Sequence, residues 1–242
     1  MALLSVNLDM IAALREMRHI GEPDPSQITV LAEIAGVDGI VVQLHRDRRY
    51  IRERDLYLLK GIIKTKLTIE IPPVEEIFEK ILEIKPWMVT IVADQADSTT
   101  PMAPFDFNSV PIEMNDITER LKGAGINVSF HIDPEPEQVK GASKAGSNGV
   151  LLSCARYVEA RSLESAQEEL DKLDRAASLA QKYSMTVSAG RGLNYKNVEP
   201  LVELGSIDEF FIGYSICSRA MMVGYDRAIS EMMQLLKQTN QS

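Results

Sequence analysis

Short apolar runs alternate with longer amphipathic stretches from one end of this chain to the other, and that alternation limits its possible folds more than any other feature. Eight runs have the length and the Val, Ile, Leu and Phe content of strands covered on both faces. They are Leu3–Leu8, Gly39–Leu44, Leu67–Ile71, Met88–Val92, Asn127–Ile132, Gly149–Ser153, Thr186–Ala189 and Glu209–Ile212. The segments between them space apolar residues three and four apart and predict helices. These cover Pro25–Ala35, Asp55–Lys64, Val74–Ile84, Ile112–Ala124, Pro136–Ala145, Leu163–Tyr183, Asn197–Leu204 and Ser218–Gln238. Asp24 before Pro25 reads as an N-cap with proline at the first helical position. Gly36, Gly125, Gly146 and Gly205 stand where helices end. Repeated strand–helix order needs crossover connections and therefore a parallel sheet. Eight units in 242 residues predict one (β/α)₈ barrel domain over 1–242, close to the ~250 residues usual for that fold. An open doubly wound sheet would want a glycine-rich turn after the first strand, and Asn7-Leu8-Asp9-Met10 is not one.

Composition excludes several classes of function. A net charge of −9 argues against nucleic-acid binding, which draws its affinity from Lys and Arg on phosphates. No apolar stretch approaches the ~20 residues of a membrane span, and MALLSVNLDM lacks the basic start and apolar core of a secretory signal. Cys154 and Cys217 form no close-spaced motif, which fits a reducing cytoplasm. His19, His45 and His131 are scattered without metal-ligand spacing, so no transition metal is expected.

In a barrel the chemistry collects where strands end on the carboxyl side. Those positions hold Asn7, Asp9, Gln43, His45, Glu70, Asp94, Thr99, Thr100, His131, Asp133, Ser153, Arg191, Tyr214 and Ser215. Glu70, at the end of an otherwise apolar strand, reads either as a general base or as one half of an ion pair. The run His45–Asp55 carries five arginines against three acids. It reads as a solvated, internally paired face or as a source of one or two ligand contacts. Gly190-Arg191-Gly192 and Gly213-Tyr214-Ser215 follow the seventh and eighth strands, the usual phosphate site of barrels. Ala93–Pro111, with three prolines, is long enough to act as a lid.

The chain resembles the pyridoxine 5′-phosphate synthase family over essentially its full length. The likeness rests on Val6-Asn7-Leu8-Asp9, Pro23-Asp24-Pro25, Ala35-Gly36-Val37-Asp38-Gly39-Ile40, Asp47-Arg48-Arg49, Glu70, Thr99-Thr100, Ala189-Gly190, Gly192-Leu193 and Ile212-Gly213, taken together. It implies a (β/α)₈ barrel with extra helices that assembles into homo-oligomers and needs no cofactor. The implied reaction condenses 1-deoxy-D-xylulose 5-phosphate with 3-amino-2-oxopropyl phosphate, releasing water and inorganic phosphate. Asn7, Arg18, Gly192 and Gly213 would then bind the amino-ketone phosphate. Asp9 and Thr100 would face the deoxyxylulose phosphate, and Glu70 would move protons.

The pattern breaks at the chemistry. The family carries catalytic histidines where this chain has Gln43 and Arg191. It also carries histidine at Met10, Tyr50 and Tyr214, and arginine at His45. Glutamine exchanges no proton near neutral pH, and arginine keeps its own. Gln43 and His45 are two apart, so on an extended strand they face the same way and His45 becomes a substitute. Three readings follow: a synthase with rearranged acid–base groups, a diverged enzyme for another phosphorylated amine or carbonyl compound, and a non-catalytic phosphometabolite-binding protein.

Overall fold

A computed structural model describes residues 2–18, 21–94, 103–109 and 114–238, with only the backbone of Arg18 and Gln238. The strands are β1 (Leu3–Asn7), β2 (Gly39–Gln43), β3 (Lys66–Ile71), β4 (Met88–Ile91), β5 (Asn127–Ile132), β6 (Gly149–Ser153), β7 (Thr186–Gly190) and β8 (Glu209–Ile212). All pair in parallel with their neighbours in sequence, and β8 returns to β1, closing the barrel expected from the alternation.

Around it run α1 (Asp9–Arg18), α2 (Pro25–Ala35), α3 (Glu53–Ile62), α4 (Glu75–Ile84), α5 (Met114–Gly123) and α6 (Pro136–Lys144). They continue as α7 (Ala155–Glu159), α8 (Leu163–Lys182), α9 (Glu199–Glu203), α10 (Tyr214–Val223) and α11 (Tyr225–Gln238). Helices α1 and α7 were not expected. Helix α1 follows β1 after a single residue and packs Ile11 and Ala12 on the core, while α7 is only five residues long. The single last helix of the sequence reading is two, because Gly224 takes φ 84 and breaks the ladder.

Local chemistry fixes the ends. Asp24 accepts a hydrogen bond from the Ser26 amide ahead of Pro25, and Gly36 at φ 96 donates back to Ala32 and Glu33. A side-chain-bearing residue pays a steric penalty there that glycine avoids. The main core lies between barrel and helices, where residues such as Leu4, Ile40, Ile69, Phe130 and Phe210 are fully buried. Each such side chain contributes about 1.5–3 kcal/mol by leaving water.

Inside the barrel the filling differs. Val41, Leu151 and Phe211 form a separate apolar plug. Below it, the Ser5 hydroxyl bonds Glu209, whose carboxyl pKa is raised by burial. Above it, polar side chains point into the mouth. Helix α1 is locked beside that mouth by Arg15, which forks onto both oxygens of Asp55 at 2.8 Å and donates to the Tyr50 carbonyl. No described helix is long and apolar enough to cross a membrane.

Candidate active site

A cavity of about 780 Å³ opens at the carboxyl ends of the strands. Its floor holds Glu70, Leu151 and Phe211; its walls include Asn7, Asp9, Met10 and Arg191. Gly192, Gly213, Tyr214 and Ser215 line the side formed by the last two strand-to-helix turns.

Those turns are shaped by glycine. Gly213 passes so close to β1 that an added Cβ would lie 2.7 Å from the Asn7 carbonyl oxygen. At φ 78, Gly192 follows Arg191 at φ 80, so two consecutive residues are left-handed. Ser215 donates to the Leu193 carbonyl at 2.9 Å and ties the turns together. Helix α10 starts directly after Gly213. Its first amides have no partner within the helix and carry the positive end of its dipole, the usual receptor for a phosphate.

Opposite them, Asn7 and Asp9 form a small network. The Asn7 side-chain amide donates to Asp9 at 2.8 Å, the Asp9 amide donates back to Asn7 at 2.9 Å, and the Gln43 amide donates to Asp9 at 2.7 Å. Burial, then the neighbouring Glu70 charge, raises the Asp9 pKa from 3.8 to about 7. The folded protein therefore holds this proton more tightly than the unfolded chain. The associated stability is fully present below about pH 4 and is lost as pH rises through about 7. Asp9→Asn is expected to flatten that part of the pH–stability curve, measured as unfolding midpoints over the same range.

Glu70 is 1 % exposed and pairs with Arg191 at 3.0 Å. Of the two readings of Glu70, the structure shows the ion pair; its second oxygen, Oε2, has no partner among the described residues. Arg191 points its fork into the cavity while its Nε is likewise unpartnered.

Other positions separate from this group. Strand β2 stops at Gln43, and a turn closed by the Arg48 amide on the His45 carbonyl (3.1 Å) redirects the chain. His45 does not share the expected extended-strand geometry. It packs edge-on against Tyr50, ring centroids 5.7 Å apart, and burial and Arg49 lower its pKa to about 4. Gln43, His45 and Tyr50 do not line the cavity. The side chain of Arg18, and Thr99 and Thr100, lie outside the described residues, as does most of Ala93–Pro111. The arginine run pairs within itself and with its neighbours: Arg48 with Glu53 and with Glu76 of α4, Arg49 with Asp47, Arg52 with Glu16 of α1, and Arg46 with Asp94. Sequence reasoning missed Lys196, Ser218 and Arg219, which line the outer cavity from a loop and from helix α10. Arg219 is held there by an ion pair at 2.8 Å with Glu231 of α11, a contact between two helices that no sequence spacing signals. Among the described residues no cluster of His, Cys, Asp and Glu is placed to hold a metal ion.

Comparison with known proteins decides the family. The family model "Pyridoxal phosphate biosynthesis protein PdxJ" matches residues 4–238. The chain belongs to the PdxJ family. It is 40% identical over 237 residues to the pyridoxine 5′-phosphate synthase of Geobacter metallireducens, covering 98% of this chain and 99% of that one. It is 42% identical over 233 residues to the enzyme of the same name from Synechococcus sp., covering 96% and 98%. A crystal structure of phosphoribosyl anthranilate isomerase from Thermus thermophilus superposes with a TM-score of 0.61 over 97% of this chain and 98% of that one. At 13% identity that likeness concerns the fold alone. Within this PdxJ barrel, Asn7, Asp9, Glu70, Gly192 and Gly213 all line one cavity.

Proposed function

We propose that this protein is a pyridoxine 5′-phosphate synthase that works with an altered set of acid–base groups. It condenses 1-deoxy-D-xylulose 5-phosphate with 3-amino-2-oxopropyl phosphate and releases water and inorganic phosphate. One observation carries the reading: a buried carboxylate, Glu70, lies on the floor of a cavity whose rim is a helix amino terminus flanked by glycine turns. The amides of α10 and the Gly192 turn receive a phosphate, with Arg18 as a further cation from α1. Asp9 hydrogen-bonds a substrate hydroxyl, with Thr100 on the same substrate. Glu70 moves protons, and Arg191 holds an anionic or carbonyl oxygen by its planar fork. Met10 and Tyr214 bound the space sterically. Gln43 supports the reaction through its backbone, which fixes Asp9. His45 and Tyr50 shape the loop beside the mouth.

The substrates are small phosphorylated molecules, and the reading places the enzyme in the cytoplasm, supported by two free, buried cysteines. Exposed Val30, Leu31 and Ile34 on α2 support assembly of several copies.

The purified protein, incubated with both substrates, is expected to release phosphate and form pyridoxine 5′-phosphate, followed by mass spectrometry. Omitting either substrate should stop both. Phosphate binding in the cavity without product from this pair would shift the assignment to another phosphorylated amine or carbonyl substrate.

A further inference from the structure

One buried imidazole has no place in the site as described so far. His131 lies on β5 and is fully buried. Its register partner on β6 is Leu151, which lines the cavity floor and belongs to the interior plug. Two residues earlier, Ser129 pairs with Thr90, and Thr90 pairs with Glu70. Paired residues of a parallel sheet share a face and alternate along each strand, so His131 points into the barrel beside these side chains, enclosed next to Leu151 and not itself lining the cavity.

Neither ring nitrogen of His131 has a hydrogen-bond partner among the described residues. The Ala103 backbone favours the protonated ring without meeting hydrogen-bond geometry, whereas burial and then the Arg191 charge hold the imidazole pKa well below its ordinary value. The ring is therefore neutral, with one nitrogen free to accept a proton and the other to donate one. The unpartnered atoms are not scattered. Of the eight buried ones among the described residues, five are Glu70 Oε2, Thr90 Oγ1, Arg191 Nε and the two nitrogens of His131. A buried polar atom left without a partner is destabilising. A histidine that serves as scaffold has its nitrogens bonded; this patch leaves them open where Glu70 and Arg191 are also open.

We propose that His131 is a further catalytic residue, the imidazole that exchanges protons with substrate bound against Glu70 and Leu151. This rests on the synthase reading above. The neutral ring takes a proton from a substrate C–H, N–H or O–H as that bond breaks, becoming imidazolium. It returns the proton to the hydroxyl oxygen that leaves as water, so His131 ends unchanged. Gln43 cannot make this exchange and Arg191 does not release its proton, so the barrel draws its imidazole from a different strand.

His131→Leu and His131→Asn test the assignment in the full-length protein with both phosphorylated substrates. In each, kcat is expected to fall by about 10²- to 10⁴-fold while KM stays within about threefold. His131→Leu removes the open nitrogens without a large change of volume, so its melting temperature should equal or exceed that of the wild type. A kcat within about threefold of wild type in either folded variant overturns the proposal while leaving the synthase reading intact. Lost activity with a clear drop in the melting temperature of the leucine variant marks a scaffold histidine and also overturns it. A wild-type protein that converts neither substrate overturns the synthase reading, and this inference with it.

Discussion

Turnover is expected to fall by about 10²- to 10⁴-fold when Glu70 is replaced by Gln, the usual loss for a positioned proton-transfer group. The substitution is nearly isosteric. Its carbonyl oxygen can still accept from Arg191, now 3.0 Å from Oε1, so the arginine keeps a partner. What disappears is a carboxyl group able to take up and release a proton on the cavity floor. Steady-state rates at saturating substrate separate this from a binding effect: kcat should carry the loss, and KM should stay near its original value. An unchanged kcat would mean that Glu70 is only the counter-ion of Arg191, the bland half of the original reading.

The second large effect concerns the other partner. Arg191→Ala should destabilise the protein by about 3 kcal/mol, the lower end for a broken buried pair. The figure sits low because Arg191 keeps 21% of its side chain in water, while Glu70 keeps only 1%. Removing the guanidinium leaves that carboxylate without a counter-charge and next to Asp9. The left-handed backbone at position 191 adds little to the difference, because arginine already bears the strain of φ 80. Urea unfolding of Glu70→Gln, Arg191→Ala and the double variant closes a cycle. The double variant should be more stable than the sum of the two single losses implies, since no unpaired charge remains in it. Strict additivity would mean that the pair contributes nothing to the fold.

Arg191 also explains how this barrel differs chemically from the pattern it resembles. Its fixed charge bears on Asp9, His45 and His131 together, favouring the ionised aspartate and the two neutral imidazoles. A site with a titrating group in that place would have a field that changes with pH. Here the positive charge is permanent, and in the proposed reaction proton movement falls to Glu70 and His131.

Much of this was legible in the chain. Strand and helix periods are local properties, so eight alternations were enough for a closed parallel barrel, and strand ends then named Asn7, Asp9, Glu70, Arg191 and the two glycine turns. The glycines read as helix ends, Gly36, Gly125, Gly146 and Gly205, all have positive φ. Helices α1 and α7 were not read from the sequence: α1 follows β1 after a single residue, and α7 is only five residues long. Only the tertiary structure decided who faces whom. Glu70 and Arg191 are 121 residues apart and meet because barrel closure brings β3 and the end of β7 to one axis. Whether the arginines after β2 touch a ligand or nearby acids depends on the turn at His45–Arg48, and whether His131 is bonded or open depends on what two other strands place beside it. A sequence period fixes which way a side chain points along its own strand; the partners it finds there are set by the stagger of the strands around the barrel, which no single segment encodes.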